Sequence, residues 1–201
     1  MAASSRRAAP LPPEERRARI IATTIPLLRH HGRSVTTAQI AMAAGIAEGT
    51  LFRVFPDKDS LIAAAIASAC DAEPARRALL AIDLERPLRE RLIEAVEILR
   101  GRIEGIWQLM SMLGMTIQAP RPGEAAEPES VAQSLMAELI RLFEPSRDEL
   151  RCEPAYAARL LKIVAFAGTH PRITEGAPLT AAEVVAVVLD GIRGRDEDEP
   201  C

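Results

Sequence analysis

Large apolar side chains recur every three or four positions through Leu88, Leu92, Val96, Leu99, Ile103, Ile106, Met110, Leu113 and Ile117, the spacing of one helical face. The pattern predicts a single long helix from Pro87 to Gln118. Its halves differ. Up to Glu104 the other faces are charged, whereas "IWQLMSMLGMTI" is apolar nearly all round, which predicts burial on several sides and a central rod for a helical second domain. After the loop "APRPGEAAEPES", further helices are expected at roughly 129–143, 154–169 and 180–193.

Two of the helix starts are written in the same grammar. In "VTTAQI", Thr36 and Gln39 have the spacing of a capping box, with Val35 and Ile40 as its hydrophobic staple; in "LTAAEV", Thr180 and Glu183 cap while Leu179 and Val184 staple. The second case decides an ambiguity, because "VVAVVL" could be a buried strand by composition and the cap assigns it to a helix. A first helix begins near Pro13 to Glu15, with proline and acids at tolerated first-turn positions, and shows Ile20, Thr24, Leu27, Leu28 and His31 on one face. Pro26 falls inside it and removes one backbone hydrogen bond, so a bend is expected there. His30 and His31 before Gly32, and His170 before Pro171, stand at helix ends, where a cation complements the dipole.

The stretch "AAGIAEGTLFRVF" reads as helix, glycine, helix, with each half too short to be stable alone. Two short helices set at an angle by one glycine are what a helix-turn-helix needs to place its second helix in the DNA major groove. Counting from Thr37, the shared buried face requires apolar or small residues at Ile40, Ala41, Ala44, Ile46, Leu51 and Val54, with Gly45 free to take a left-handed turn conformation. Every position is suitably filled, and no proline lies between Thr37 and Phe55.

Charge sharpens this picture. The net charge of the chain is −3, yet residues 1–62 carry nine Lys or Arg against five Asp or Glu, net +4, and the remainder −7. A basic N-terminal portion on an acidic body is the asymmetry expected when only one end meets a polyanion. The cysteines Cys70, Cys152 and Cys201 are odd in number and far apart, suggesting neither a disulfide framework nor a zinc site. "MAASSRRAAPLPPEE" has no apolar signal core and no stretch approaches the ~18 apolar residues of a membrane span, so a cytoplasmic protein is expected.

Residues 20–61, "IIATTIPLLRHHGRSVTTAQIAMAAGIAEGTLFRVFPDKDSL", resemble the TetR family of bacterial transcriptional regulators in the order of first helix, Gly, Thr-Thr, Ile-Ala, Ala-Gly, Gly-Thr-Leu-aromatic, Phe and Lys-x-x-Leu. The first 13 residues and the final "GRDEDEPC" are low in large apolar side chains, so a disordered basic arm at 1–13 and a disordered acidic tail at 194–201 are expected; the resemblance implies an all-α fold between them, a helix-turn-helix domain at 14–59 and a helical regulatory and dimerisation domain at 60–193. It also implies roles. Thr36 and Thr37, at a helix N-terminus, would hold a phosphate. Lys58, one of two lysines in the chain, would make another phosphate contact, and Gly49 would allow close approach to the duplex. Glu48, Thr50 and Arg53 fall at base edges or adjacent phosphates, Arg53 suiting guanine and Glu48 a cytosine amino group. The family often has Tyr where this chain has Phe52 and a hydroxyl-bearing cap where it has Ala47. Backbone affinity would then lean on Arg33, Arg53 and Lys58. Phe55 reads as core.

"AARLLKIVAFAG" and "AAEVVAVVLDGI" present small and branched residues on more than one face, so one face can pack inside the domain and another against a second copy. The resemblance implies a homodimer through these last two helices, a palindromic operator and repression relieved by a small molecule. Trp107, Met110, Met115, Phe143 and Phe166 are candidates for an apolar, adaptable pocket wall, although a methionine-bearing buried helix is more often core than pocket. No H-E-x-x-H, P-loop or G-x-S-x-G motif is present; neither catalysis, a metal nor a cofactor is expected. The competing reading is an architectural DNA binder that senses nothing, for which an acidic domain of this size is more than the role needs.

Overall fold

A computed structural model describes residues 12–114 and 129–192, the side chains of residues 129–132 excepted. Among the described residues the ordered elements are all helical: α1 Pro13–His31, α2 Thr37–Ala44, α3 Glu48–Val54, α4 Lys58–Cys70, α5 Glu73–Leu80, α6 Leu88–Met112, α7 Glu129–Phe143, α8 Pro154–Thr169 and α9 Ala181–Ile192, with 3-10 segments at Gly32–Ser34 and Glu144–Glu149. They divide into two compact units, residues 12–70 with 108–114, and residues 71–107 with 129–192.

The first unit is built around α1. Ile20, Thr24 and Leu28 are buried one turn apart, and the Thr24 hydroxyl donates to the Ile20 carbonyl at 2.7 Å, which satisfies the buried polar group. The chain is helical on both sides of Pro26. His31 does not join the buried face as its spacing suggests; it is exposed, because α1 ends there and the chain turns away at Gly32 (φ 55°, ψ −141°). Leu51, Phe55, Leu61, Ile62 and Ala65 complete the cluster with the inner residues of α1 and α2. The unit therefore takes in all of α4, where the sequence reading ended the domain at residue 59.

The long apolar helix departs from expectation at its far end. α6 stops at Met112 rather than Gln118: Gly114 takes φ 65°, and the Leu113 and Gly114 amides bond back to Leu109 and Ser111, a glycine-terminated helix end. Its apolar last turn is also not the rod of the second domain. Leu109 and Leu113 are buried in the core of the first unit, while Met112 is 43% exposed. Residues 115–118 lie outside the described part.

In the second unit α5, the first part of α6, α7, α8 and α9 share one core, with Leu79, Leu92, Val96, Leu139, Phe143, Leu161 and Leu189 fully enclosed. Arg76 of α5 bonds Glu73 at 2.7 and 2.9 Å and Glu138 of α7 at 3.1 Å, and Arg141 donates to the Leu79 carbonyl at 2.8 Å, closing the C-terminal end of α5 against α7. Arg91 of α6 is 2% exposed and donates to the Ser146 hydroxyl at 2.8 Å; desolvation pulls its pKa below the usual arginine value. At α9 the capping box forms: the Thr180 amide donates to the Glu183 carboxylate at 2.7 Å and the Glu183 amide to the Thr180 hydroxyl at 3.2 Å. Val184, Val185, Val188 and Leu189 then follow as a buried helical face.

Gly32 has two reasons to be glycine. Its φ is positive, and a Cβ there would lie 2.3 Å from the Met112 carbonyl oxygen, which is backbone and cannot swing aside. Gly32→Ala is expected to lower unfolding free energy by at least about 2 kcal/mol, read as a drop in the urea midpoint.

Candidate nucleic-acid interface

Gly45 makes the bend between α2 and α3. It sits at φ 68°, ψ 36°, and its amide bonds back to the Ala41 and Met42 carbonyls while the Ile46 amide returns to Ala41 at 3.0 Å, the left-handed closure that glycine takes without steric cost. Ile40, Ala41, Ala44 and Leu51 are buried along the shared face and Ile46 and Val54 pack at its edge, so all six positions read from the sequence close the pair. The start of α2 is held as expected. The Gln39 amide donates to the Thr36 hydroxyl at 3.2 Å, the Thr36 amide donates to the Gln39 side-chain carbonyl at 2.8 Å, and Val35 and Ile40 are both fully buried. Removal of such a cap costs about 1 kcal/mol.

The polar candidates then fall as follows. Thr36 is occupied in its own cap, and its hydroxyl also donates to the Gln39 side-chain carbonyl. The Thr37 hydroxyl donates to the Glu48 carboxylate across the turn, in a short contact. Glu48, Gly49, Phe52 and Arg53 are exposed on α3, and Thr50 is half-buried. A Cβ on Gly49 would meet nothing within 4 Å, so the fold does not itself demand glycine there. Phe52 is 46% exposed, whereas Phe55 is 1% exposed in the core with the Arg17 guanidinium 4.4 Å above its ring, a cation–π contact.

Lys58 and Arg33 are brought together. The Lys58 ammonium donates to the Arg33 carbonyl at 2.7 Å, and the Arg33 guanidinium stands 3.8 Å from the Asp59 carboxylate. This ties the start of α4 to the 3-10 turn after α1. Asp57 caps α4 by accepting from the Ser60 amide at 2.7 Å, and that bond holds its carboxyl below the usual value. Sequence reasoning missed this cap, although Asp57 and Ser60 have cap spacing. It also missed Met42, which is 78% exposed on α2 and carries no motif signal.

The pocket candidates that are described fall in different surroundings. Phe143 is enclosed in the core of the second unit. Met110 is buried in the part of α6 that belongs to the first unit, and Met115 lies outside the described residues. Only Trp107 and Phe166 meet, with ring centroids 6.1 Å apart, and His170 joins them edge-on to Trp107 at 4.3 Å. A separate open cleft of about 490 Å³ lies between α8 and the chain leading to α9, lined by Ile163, Val164, Ala167, Gly168, Ile173, Thr174, Glu175, Ala177 and Leu179, none of them a candidate. Tyr156, Ile163 and Phe166 on α8 and Val187 on α9 are exposed. Among the described residues no cluster could hold a metal ion, and no helix is long and apolar enough to cross a membrane.

Residues 20–65 match the family described as "Bacterial regulatory proteins, tetR family". No curated protein matches. Among solved structures, a chain from Mesorhizobium loti described as a TetR-family transcriptional regulator aligns with TM-score 0.61 at 14% identity, covering 92% of this chain and all of that one. A tetR-family regulator from Streptomyces coelicolor gives 0.56 at 21%, covering 88% and 78%, and LfrR from Mycobacterium smegmatis, solved with proflavine, gives 0.52 at 18%, covering 90% and 98%. These likenesses bear on the fold alone, and the family match on residues 20–65.

If the Lys58 bond braces the N-terminal unit, Lys58→Met is expected to lower unfolding free energy by about 1–2 kcal/mol, measured by denaturant titration against the wild-type chain.

Proposed function

We propose, from the premise that this chain belongs by its N-terminal unit to the TetR family of DNA-binding transcriptional regulators, that it works as a homodimeric repressor on a palindromic operator and is released by a small apolar ligand. The observation that carries the reading is the α2–Gly45–α3 pair, closed by buried residues on one side and presenting Glu48, Gly49, Phe52 and Arg53 on the other. Arg53 has no ion pair among the described residues, so its guanidinium is available for the bidentate contact it makes best, to guanine or a phosphate. The Thr37 and Ala38 amides at the start of α2, which the Thr36–Gln39 cap does not use and which precede the first intrahelical bond, suit a phosphate oxygen.

The dimer is supported by the apolar side chains left exposed on α8 and α9. Tyr156, Ile163, Phe166 and Val187 are each about half exposed or more, and apolar side chains left exposed on two packed helices suit an interface. A two-fold pairing would set two recognition helices about 34–36 Å apart, one turn of duplex or a multiple of it. For the effector, the Trp107, Phe166 and His170 rings offer an aromatic surface, and a neighbour of the same fold is known with the planar aromatic proflavine. A ligand acts here only through the difference in its affinity for the DNA-binding and released arrangements.

Selection of duplexes from a random library at moderate salt tests the reading, since non-specific affinity depends on salt. The expected product is a palindrome that Arg53→Ala no longer selects, from a protein that sediments as a dimer. A monomer, or a library returning no motif, contradicts it.

A further inference from the structure

We infer that Thr37 is a positioning residue for sequence readout: its hydroxyl holds the Glu48 carboxylate in place to accept from a base amino group, and is not itself a phosphate ligand. This rests on the DNA-binding reading above. Thr37 opens α2 and Glu48 opens α3, and the hydroxyl of the first donates to Oε1 of the second. A threonine hydroxyl has one proton to give. Once donated to Glu48 it leaves no donor for a phosphate, which has only acceptors to offer. The neighbouring Thr36 hydroxyl is committed in the same way, to Gln39. The Thr-Thr pair is thus turned inward, and phosphate binding at this end of α2 falls to backbone amides.

The carboxylate has the complementary need. An ionised Glu48 only accepts hydrogen bonds, is repelled by phosphates, and makes no ion pair among the described residues. Against a duplex its favourable partners are the exocyclic amino groups in the major groove, above all that of cytosine. A glutamate free to rotate would meet such a group rarely. Tied to Thr37, it is fixed to two helices whose angle is set by Gly45 and by the buried Ala41 and Leu51, with Oε2 left for the base. The brace spans eleven residues of sequence and places the acceptor relative to the whole motif.

The test compares duplex selection for the full chain as wild type, Thr37→Val, Thr37→Ser, Glu48→Gln, Glu48→Ala and the Glu48→Ala, Thr37→Val pair. The expected result is one position per half-site whose preferred base changes in Glu48→Gln, and whose preference falls about five- to tenfold in Thr37→Val while other positions keep theirs. Thr37→Ser restores it, and Thr37→Val has no further effect once Glu48 is alanine. The inference is overturned if Thr37→Val weakens all sequences alike and leaves every base preference unchanged, the mark of a neutral phosphate ligand, or if Glu48→Gln changes no position. A wild-type chain that selects no motif refutes the regulator reading itself; a motif unchanged in Thr37→Val refutes only the brace. Should Thr37→Val fail to fold, Thr37→Ala takes its place: a loss of preference confined to the position that Glu48→Gln alters supports the brace, and uniform weakening overturns it.

Discussion

The N-terminal unit closes on a single backbone contact, the packing of the Met112 carbonyl against Gly32. Four segments meet within the next few residues. α1 ends there, with the Gly32 amide returning to Leu28; the last turn of α6 approaches as close as a Cα without a side chain allows; the Arg33 carbonyl receives Lys58 from α4; and Val35 buries itself before Thr36 caps α2. None of these contacts is strong alone. They depend on one another, because each fixes a backbone position that the next requires, and the glycine is the member without a substitute.

The same economy shapes the exposed side of the motif. Its acidic groups each accept from a specific donor in the unit: Asp57 from the Ser60 amide, Glu48 from Thr37, and Asp59 stands opposite Arg33. These exposed pairs add little to stability. Their effect is on the field a partner meets, since they localise the negative charge while Arg53 extends from α3 without an ion pair among the described residues. A surface whose opposite charges are ordered in this way is suited to a rigid, patterned polyanion, for which orientation carries the specificity.

The second unit is held differently. Its core is aliphatic and continuous from α5 to α9, and the cross-links on its surface are multidentate arginines, Arg76 between α5 and α7 and Arg141 on the end of α5. Planar guanidinium groups fix geometry as well as charge. After that core is filled, α8 and α9 still expose Tyr156, Ile163, Phe166 and Val187.

Local signals in the sequence sufficed where structure is determined by neighbours a few residues apart. The capping boxes at Thr36 and Thr180, the left-handed Gly45, the six packing positions of the motif and the spans of α7 and α8 depend on spacing and backbone preference, and these are properties of short segments. The sequence by itself thus determined the helical fold class and the helix-turn-helix. Where the answer depended on which distant segment supplied a surface, the sequence was silent or misleading. It showed that the end of α6 is apolar, but not that its last turn is buried with α1 and α2. It offered apolar candidates for one pocket without separating Phe143, which is enclosed in a core, from Trp107 and Phe166, whose rings meet, because apolar character is the same for a core, a cleft and an interface. It supplied Thr37 and Glu48 as separate contacts, and only the angle between two packed helices brought the hydroxyl to the carboxylate.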